Sequence, residues 1–211
     1  MRVNPLATCG GDDLAVVLAG RPDIVMMSKV AAPEEVRALH RATGGSVELV
    51  PNVESAAGLM RTFDIVRASP RVSAALMASE DMVADLGTVR SRTGEELAYA
   101  RSRFLVECRA ARVEAIDCPY TFSDARGAAA DARYAKRLGY RAKSLVAPEH
   151  AGAINRVFTP QRAEIVRARR IVDAFEMARA AGRERAQVDG ALIEVPIYAA
   201  AKRLLATVDK R

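Results

Sequence analysis

Two groups of acidic side chains stand where metal or acid–base chemistry is feasible. Glu54 lies in Val50-Pro51-Asn52-Val53-Glu54-Ser55-Ala56-Ala57-Gly58, and Glu80-Asp81 lies in Met77-Ala78-Ser79-Glu80-Asp81-Met82. Each group follows a short apolar run that reads as a strand, and the two runs are consecutive. In a parallel sheet their C-terminal ends would be neighbours, which is where α/β proteins place function. Carboxylates about one strand spacing apart can both reach one Mg²⁺, whose shell takes one or two carboxylates, waters and substrate oxygens. The alternative is that acids in first helical turns simply complement the helix dipole. Arg2, ahead of Asn4-Pro5, could clamp a carboxylate or a thioester oxygen through paired hydrogen bonds, or be a charged terminal residue in solvent. Lys29 reads as an ion-pair or phosphate-side residue, or as a solvated lysine at a rim. Asp117 reads as a capping or supporting group as readily as a catalytic one. Glu194, just before Pro196, reads by position as a solvated turn residue.

The elements that must hold these residues alternate along the chain. Apolar runs at 3–6, 24–27, 47–50, 72–77, 115–117 and 144–146 predict buried parallel strands. Amphipathic stretches at 12–19, 33–42, 55–67, 95–112, 124–138 and 150–157 predict the intervening helices. Helix starts are marked by Pro33-Glu34-Glu35, by Thr93 with Glu96 three residues on, and by Ser123-Asp124. Gly20, Gly44-Gly45 and Gly139 mark helix ends. After Pro160 the pattern changes to one long helical run over 161–181. A loop through Asp189-Gly190 and a last helix over about 196–208 follow, with no convincing strand. The chain therefore divides into a β/α part, 1–160, and a helical arm or cap, 161–211. Six β/α units suit an open doubly wound sheet, while eight would close a barrel. Thr8-Cys9-Gly10-Gly11-Asp12 is not the G-x-G-x-x-G turn of a dinucleotide fold, and periodicity alone does not choose between the two.

Composition narrows the function classes. The chain has 211 residues, 50% hydrophobic and 27% charged, enough for one large core in a globular protein. The net charge of +6 comes from 32 Lys+Arg against 26 Asp+Glu, but the arginines are scattered and there are only five Tyr, five Phe and no Trp. No basic stripe interleaves with aromatics, so no nucleic-acid partner is expected. No apolar stretch approaches the ~20 residues of a membrane span, and residues 1–25 do not read as a signal peptide, so no membrane partner and a cytoplasmic location are expected. Three cysteines without C-x-x-C spacing fit reduced thiols. With only two histidines, any metal should be a hard cation on carboxylates.

Taken together, these segments resemble the citrate lyase β-subunit-like carbon–carbon lyases of the HpcH/HpaI aldolase family, which include malyl- and citramalyl-CoA lyases. The resemblance is carried by Arg2-Val3-Asn4-Pro5-Leu6, Ser28-Lys29-Val30, Val53-Glu54-Ser55-Ala56-Ala57-Gly58, Ser79-Glu80-Asp81-Met82 with Asp85-Leu86-Gly87, and Ala115-Ile116-Asp117. It continues through Leu138-Gly139-Tyr140 with Lys143, Ile154-Asn155 with Phe158-Thr159-Pro160, and Asp189-Gly190-Ala191-Leu192-Ile193-Glu194-Val195-Pro196. No single segment is specific; their ordered conjunction over essentially the whole chain is.

The resemblance implies a (β/α)₈ TIM barrel with a C-terminal helical arm, in trimers or hexamers. Here the barrel is incomplete: about six units, opening at what matches the family's third strand. It implies that Glu54 and Asp81 bind Mg²⁺, with Mn²⁺ as a substitute, and that Arg2 faces substrate. Glu194, in a neighbouring subunit's site, would be the acid/base group. The implied reaction cleaves a 3-hydroxyacyl-CoA thioester, such as malyl-, citramalyl- or citryl-CoA, into an acyl-CoA and an oxo acid. The alternative is a truncated, non-catalytic paralogue acting as a binding or assembly subunit. Two departures stand out: the family usually has Asp at Glu194, and His-Pro-x-Gln where this chain has Ala147-Pro148-Glu149-His150. Ala147 cannot make an imidazole's contacts.

Overall fold

The computed structural model describes residues 1–208. The chain divides into two units, Met1–Phe158 and the segment from Thr159 onward, each with its own core.

The first unit is a six-stranded parallel sheet. Its strands are β1 (Arg2–Val3), β2 (Ile24–Met27), β3 (Glu48–Val53), β4 (Ala74–Met77), β5 (Glu114–Asp117) and β6 (Ala142–Lys143), in the spatial order β1-β2-β3-β4-β5-β6. Every strand pairs with its neighbour in sequence, with no reversal of order. That is the winding of a barrel and not of a doubly wound sheet, which reverses at a switch point. Among the described residues nothing pairs β1 with β6, so the sheet is an open arc. The crossover helices are α1 (Gly10–Ala19), α2 (Pro33–Ala42), α3 (Ala56–Leu59), α4 (Thr62–Arg67), α5 (Glu80–Asp85), α6 (Ala98–Ala110), α7 (Ala125–Leu138) and α8 (Ala151–Phe158).

Alternation along the strands sorts the two faces. Val3, Val25, Met27, Leu49, Val53, Ala75, Met77 and Ala115 share one core with Leu14, Val36, Leu39, Ile65, Phe104 and Leu105 of the helices. The intervening residues Met26, Val50, Asn52, Leu76 and Ile116 lie on the opposite face, in register across the sheet: Met26 beside Val50, and Asn52 beside Leu76 beside Ile116.

Local signals explain most boundaries. Pro33 opens α2, and the Glu35 carboxylate accepts the N–H groups of Ala31 and Ala32 at 2.7 and 2.8 Å. Asp124 caps α7 by accepting the Gly127 N–H at 2.7 Å. Glu96 does not pair with Thr93 in a capping box; it accepts Arg90 Nη1 at 2.6 Å and the Ser91 N–H at 3.0 Å.

Four further expectations need correction. The first strand stops at Val3 because Pro5 has no N–H and its carbonyl closes a turn to Thr8 and Gly10. The helix expected over 55–67 breaks at Met60-Arg61 into α3 and α4. The last strand is Ala142–Lys143 instead of 144–146. Leu145 and Val146 are exposed, while Lys143 is drawn inward by buried acids.

Fourth, the second unit does contain strands. Between α9 (Arg162–Ala180) and α10 (Val195–Val208), β7 (Ala186–Val188) and β8 (Ala191–Ile193) form an antiparallel hairpin. Its turn is Asp189-Gly190, with φ of 51° and 78°, a two-residue turn of the type that matches strand twist. The unit's core joins Ala168, Ile171 and Phe175 of α9 to Val188, Ile193 and Ala201. Phe175 stacks on Tyr198 at 4.6 Å between centroids. Among the described residues no helix is long and apolar enough to cross a membrane.

Candidate metal centre at the strand ends

Glu54 immediately follows β3, and Asp81 is the second residue of α5, which follows β4. The two strands are hydrogen-bonded neighbours, and the ladder continues past them: the Ala78 N–H donates to the Val53 carbonyl at 3.1 Å. That bond delivers the start of α5 beside Glu54. Gly58 allows the turn after Glu54 to pack on the loop after β2, since a Cβ there would sit 2.6 Å from the Val30 carbonyl oxygen.

The Glu54 side chain is buried, with the residue 6% exposed, whereas Asp81 is half exposed. Burial pushes the Glu54 carboxyl up. The Lys29 backbone N–H pulls it down, the Asp81 charge beside it pushes it up again, and the net direction is upward. Lys29 serves both acids. Its backbone sits in the left-handed region at φ 56°, unusual for a residue with a Cβ, and its ammonium stands 3.7 Å from Asp81 Oδ1. The expected ion-pair role of Lys29 is therefore present, with a largely solvated side chain.

Asn52, one turn of the pleat below Glu54 on the same face, donates from Nδ2 to Glu54 Oε1. Asn52 is buried, and its Oδ1 has no hydrogen-bond partner among the described residues. Asp85 closes the arrangement from the far end of α5: its Oδ2 accepts the Ala56 N–H at 2.7 Å. Neither Asn52 nor Asp85 is among the site residues read from sequence. A polar residue inside the otherwise apolar run Val50-Pro51-Asn52-Val53 is the available signal for the first.

The donor set fits a hard divalent cation. Two carboxylates face each other at adjacent strand ends, one of them buried, with an unpaired amide oxygen close by. The described residues hold no cluster of three or more His, Cys, Asp or Glu placed to share a metal ion. Most of such a cation's shell would therefore be water and substrate.

The other candidates fall elsewhere. Arg2 is exposed on β1, in register with Met26 and, through it, with Val50. It shares the face that carries Glu54, two strands away, and lines a cleft with Asn4, Asp12 and Asp13. Glu194 lies in the second unit between β8 and α10, exposed, 3.2 Å from Arg185 Nε. Glu80 turns from Asp81 toward Thr121 and Arg90. Asp117 is structural. It is fully buried, accepting Arg101 Nε and Nη2 at 2.9 and 2.7 Å and Lys143 at 2.6 Å, while Asp131 accepts Arg101 Nη1 at 2.8 Å and forms an ion pair with Lys143. Cys108 and Cys118 are buried thiols pushed up to about 12, by burial first, so they are inert at neutral pH.

Comparison with known proteins agrees with this architecture. The model of the HpcH/HpaI aldolase/citrate lyase family matches residues 1–148. The citrate lyase subunit beta of Escherichia coli K12 is 31% identical over 223 residues, covering 99% of this chain and 73% of that protein. The mitochondrial citramalyl-CoA lyase of Mus musculus is 27% identical, covering 97% of this chain and 67% of that protein. Among solved structures, RipC of Yersinia pestis superposes with a TM-score of 0.72 at 30% identity over 78% of each chain. The CitE protein of Mycobacterium tuberculosis, solved with magnesium, acetoacetate and coenzyme A, gives a TM-score of 0.82 at 23% identity over 97% of this chain and 76% of that one. The fold is thus that of citrate lyase β-type barrels, and the chain belongs to the HpcH/HpaI aldolase/citrate lyase family.

Proposed function

We propose that the protein is a Mg²⁺-dependent carbon–carbon lyase that cleaves a 3-hydroxyacyl-CoA thioester of the malyl, citramalyl or citryl type into an acyl-CoA and an oxo acid. The observation that carries the proposal is the buried Glu54 carboxylate set against Asp81 at adjacent strand ends. Two like charges there disfavour each other, and a divalent cation removes the conflict. The names of the relatives, and the magnesium and coenzyme A held by the mycobacterial protein, support the same reading.

In this reading Glu54 and Asp81 hold the cation, and Mn²⁺ substitutes for it. When bound, the metal supplies Lewis acidity to the carboxylate and carbonyl oxygens of the oxo-acid half. Arg2, on the same sheet face, adds positive charge where the enolate develops. Glu194 exchanges a proton with the enolate carbon, contributed by a neighbouring copy in a homo-oligomer.

The test is cleavage of malyl-, citramalyl- and citryl-CoA with Mg²⁺, paired with calorimetry on Glu54→Gln and Asp81→Asn. Turnover of one thioester that both substitutions abolish, together with lost metal affinity, is the expected result. Unchanged metal affinity in both variants overturns the site. Metal binding without cleavage of any of the three favours a non-catalytic binding or assembly subunit, a reading to which Ala147 lends its weight.

A further inference from the structure

Asn52 is the polar residue buried inside β3 below Glu54. Leu49, Val50, Pro51 and Val53 around it are all apolar and buried. A buried amide in such a run costs stability unless its donor and acceptor are both used. The donor is used: Nδ2 donates to Glu54 Oε1. The acceptor is not: Oδ1 has no partner among the described residues. The amide is planar, so with Nδ2 turned toward the Glu54 carboxylate, Oδ1 is turned away from that oxygen. Alternation puts it on the face that carries Glu54, away from the core formed by Leu49 and Val53.

We propose that Asn52 is a positioning residue of the metal centre, which fixes the Glu54 carboxylate with its Nδ2 and accepts a hydrogen bond on Oδ1 from a water in the cation's shell. The inference rests on the reading of Glu54 and Asp81 as metal-holding carboxylates. Two carboxylates leave most of a Mg²⁺ shell to water and substrate. Each such water carries protons that need acceptors, and outer partners of this kind orient the ligands and tune affinity. A neutral amide suits the place better than a third acid, because it donates to Glu54 and accepts from water at once.

The experiment is Mg²⁺ titration calorimetry and the Mg²⁺-induced rise in melting temperature on the full chain, for the parent, Asn52→Leu, Asn52→Val and Glu54→Gln. Asn52→Leu keeps the approximate shape and removes both the Nδ2 donor to Glu54 and the unpaired acceptor. It should leave the melting temperature without metal close to the parent's, yet weaken Mg²⁺ binding about 10- to 100-fold. Asn52→Val, suited to a strand, carries the same expectation should the leucine variant fail to fold. Parent-like Mg²⁺ affinity in a folded Asn52 variant, with affinity lost in Glu54→Gln, overturns the role of Asn52 and leaves the metal reading intact. Parent-like affinity in Glu54→Gln overturns the metal reading beneath it.

Discussion

Asp85 Oδ2 accepts the backbone N–H of Ala56 at 2.7 Å. The bond ties the last residue of α5 to the first residue of α3, and so joins the helix that begins beside Asp81 to the turn that follows Glu54. The turn that follows Glu54 is therefore braced against the helix that carries Asp81 by a third acid. Ser55, which accepts the Gly58 N–H at 3.2 Å, completes the cap of the same short helix.

Replacing Asp85 by Ala should free the Ala56 N–H and loosen the Glu54 turn relative to α5. A lost cap of this kind costs about 0.5–2 kcal/mol, and the exposed position of Asp85 places it at the lower end. The more telling expectation is a Mg²⁺ affinity about 10-fold weaker, with Asp85→Asn, which keeps an acceptor oxygen, recovering most of it. Equal affinity in the parent and Asp85→Ala would show that the two carboxylates keep their spacing without this bond.

The buried ion cluster predicts a different kind of loss. Arg101 and Lys143 face Asp117 and Asp131, two cations against two anions, with side chains 0–4% exposed. Arg101→Met leaves two buried carboxylates sharing one lysine. Breaking such a cluster from one side costs about 3–5 kcal/mol, a large share of a typical net stability of about 5–15 kcal/mol. Urea unfolding should show the collapse. Arg141→Met, which removes a largely exposed partner of Glu114, should change the unfolding free energy by less than about 1 kcal/mol. Similar small shifts for both would mean that the cluster contributes no more than a surface pair.

Glu96 predicts how stability responds to acid. Burial pushes its carboxyl up, but the Ser91 hydroxyl and N–H, its own backbone N–H and Arg90 outweigh that and hold it at about 2, against an ordinary 4.5. The folded value lies below the unfolded one. The stabilisation is therefore complete above about pH 5 and is lost as pH falls from 4.5 through 2. After allowance for solvent screening, it amounts to about 1–2 kcal/mol at neutral pH. The stability difference between the parent and Glu96→Gln, measured by denaturant unfolding, should fall to about half or less between pH 7 and pH 3. A difference that is the same at both pH values rules out this source.

Much of this architecture is legible in the sequence, and the reasons it is or is not are local. β2 is apolar at all four positions, although Ile24 is exposed and Met26 half-buried, so it is read with its observed bounds. β6 is missed because its burial is ionic: Lys143 is charged, while the apolar Leu145 and Val146 beyond it are exposed. Periodicity has no sign for a buried lysine with two acids waiting. β7 and β8 are three residues each, too short for alternation to register, and only Asp189-Gly190 marks the turn between them. At the site, acids after consecutive strands are visible as residue types. The left-handed Lys29, the unpaired Asn52 oxygen and the Asp85 bond are not, because each depends on segments brought together by the fold.

Glu194 lies in the second unit, where its nearest charged partner is the exposed Arg185, and its backbone carbonyl closes the first turn of α10. The proposed reaction needs its carboxylate beside the Glu54–Asp81 pair of another copy of the chain. Glu54→Gln and Glu194→Ala should therefore each be inactive alone, for different reasons. A Glu54→Gln chain retains a sound Glu194 to lend, and a Glu194→Ala chain retains a sound metal pair to receive it. Mixing the two after dissociation and reassembly should restore activity to about a quarter of the parent's sites, because random pairing in a closed ring unites one sound half from each chain at that frequency. No recovery from a mixture shown to have exchanged subunits would place Glu194 in its own chain's site or outside catalysis. In the second case the exposed Glu194–Arg185 pair would be a surface feature, and Glu194→Ala alone would turn over thioester at the parent rate.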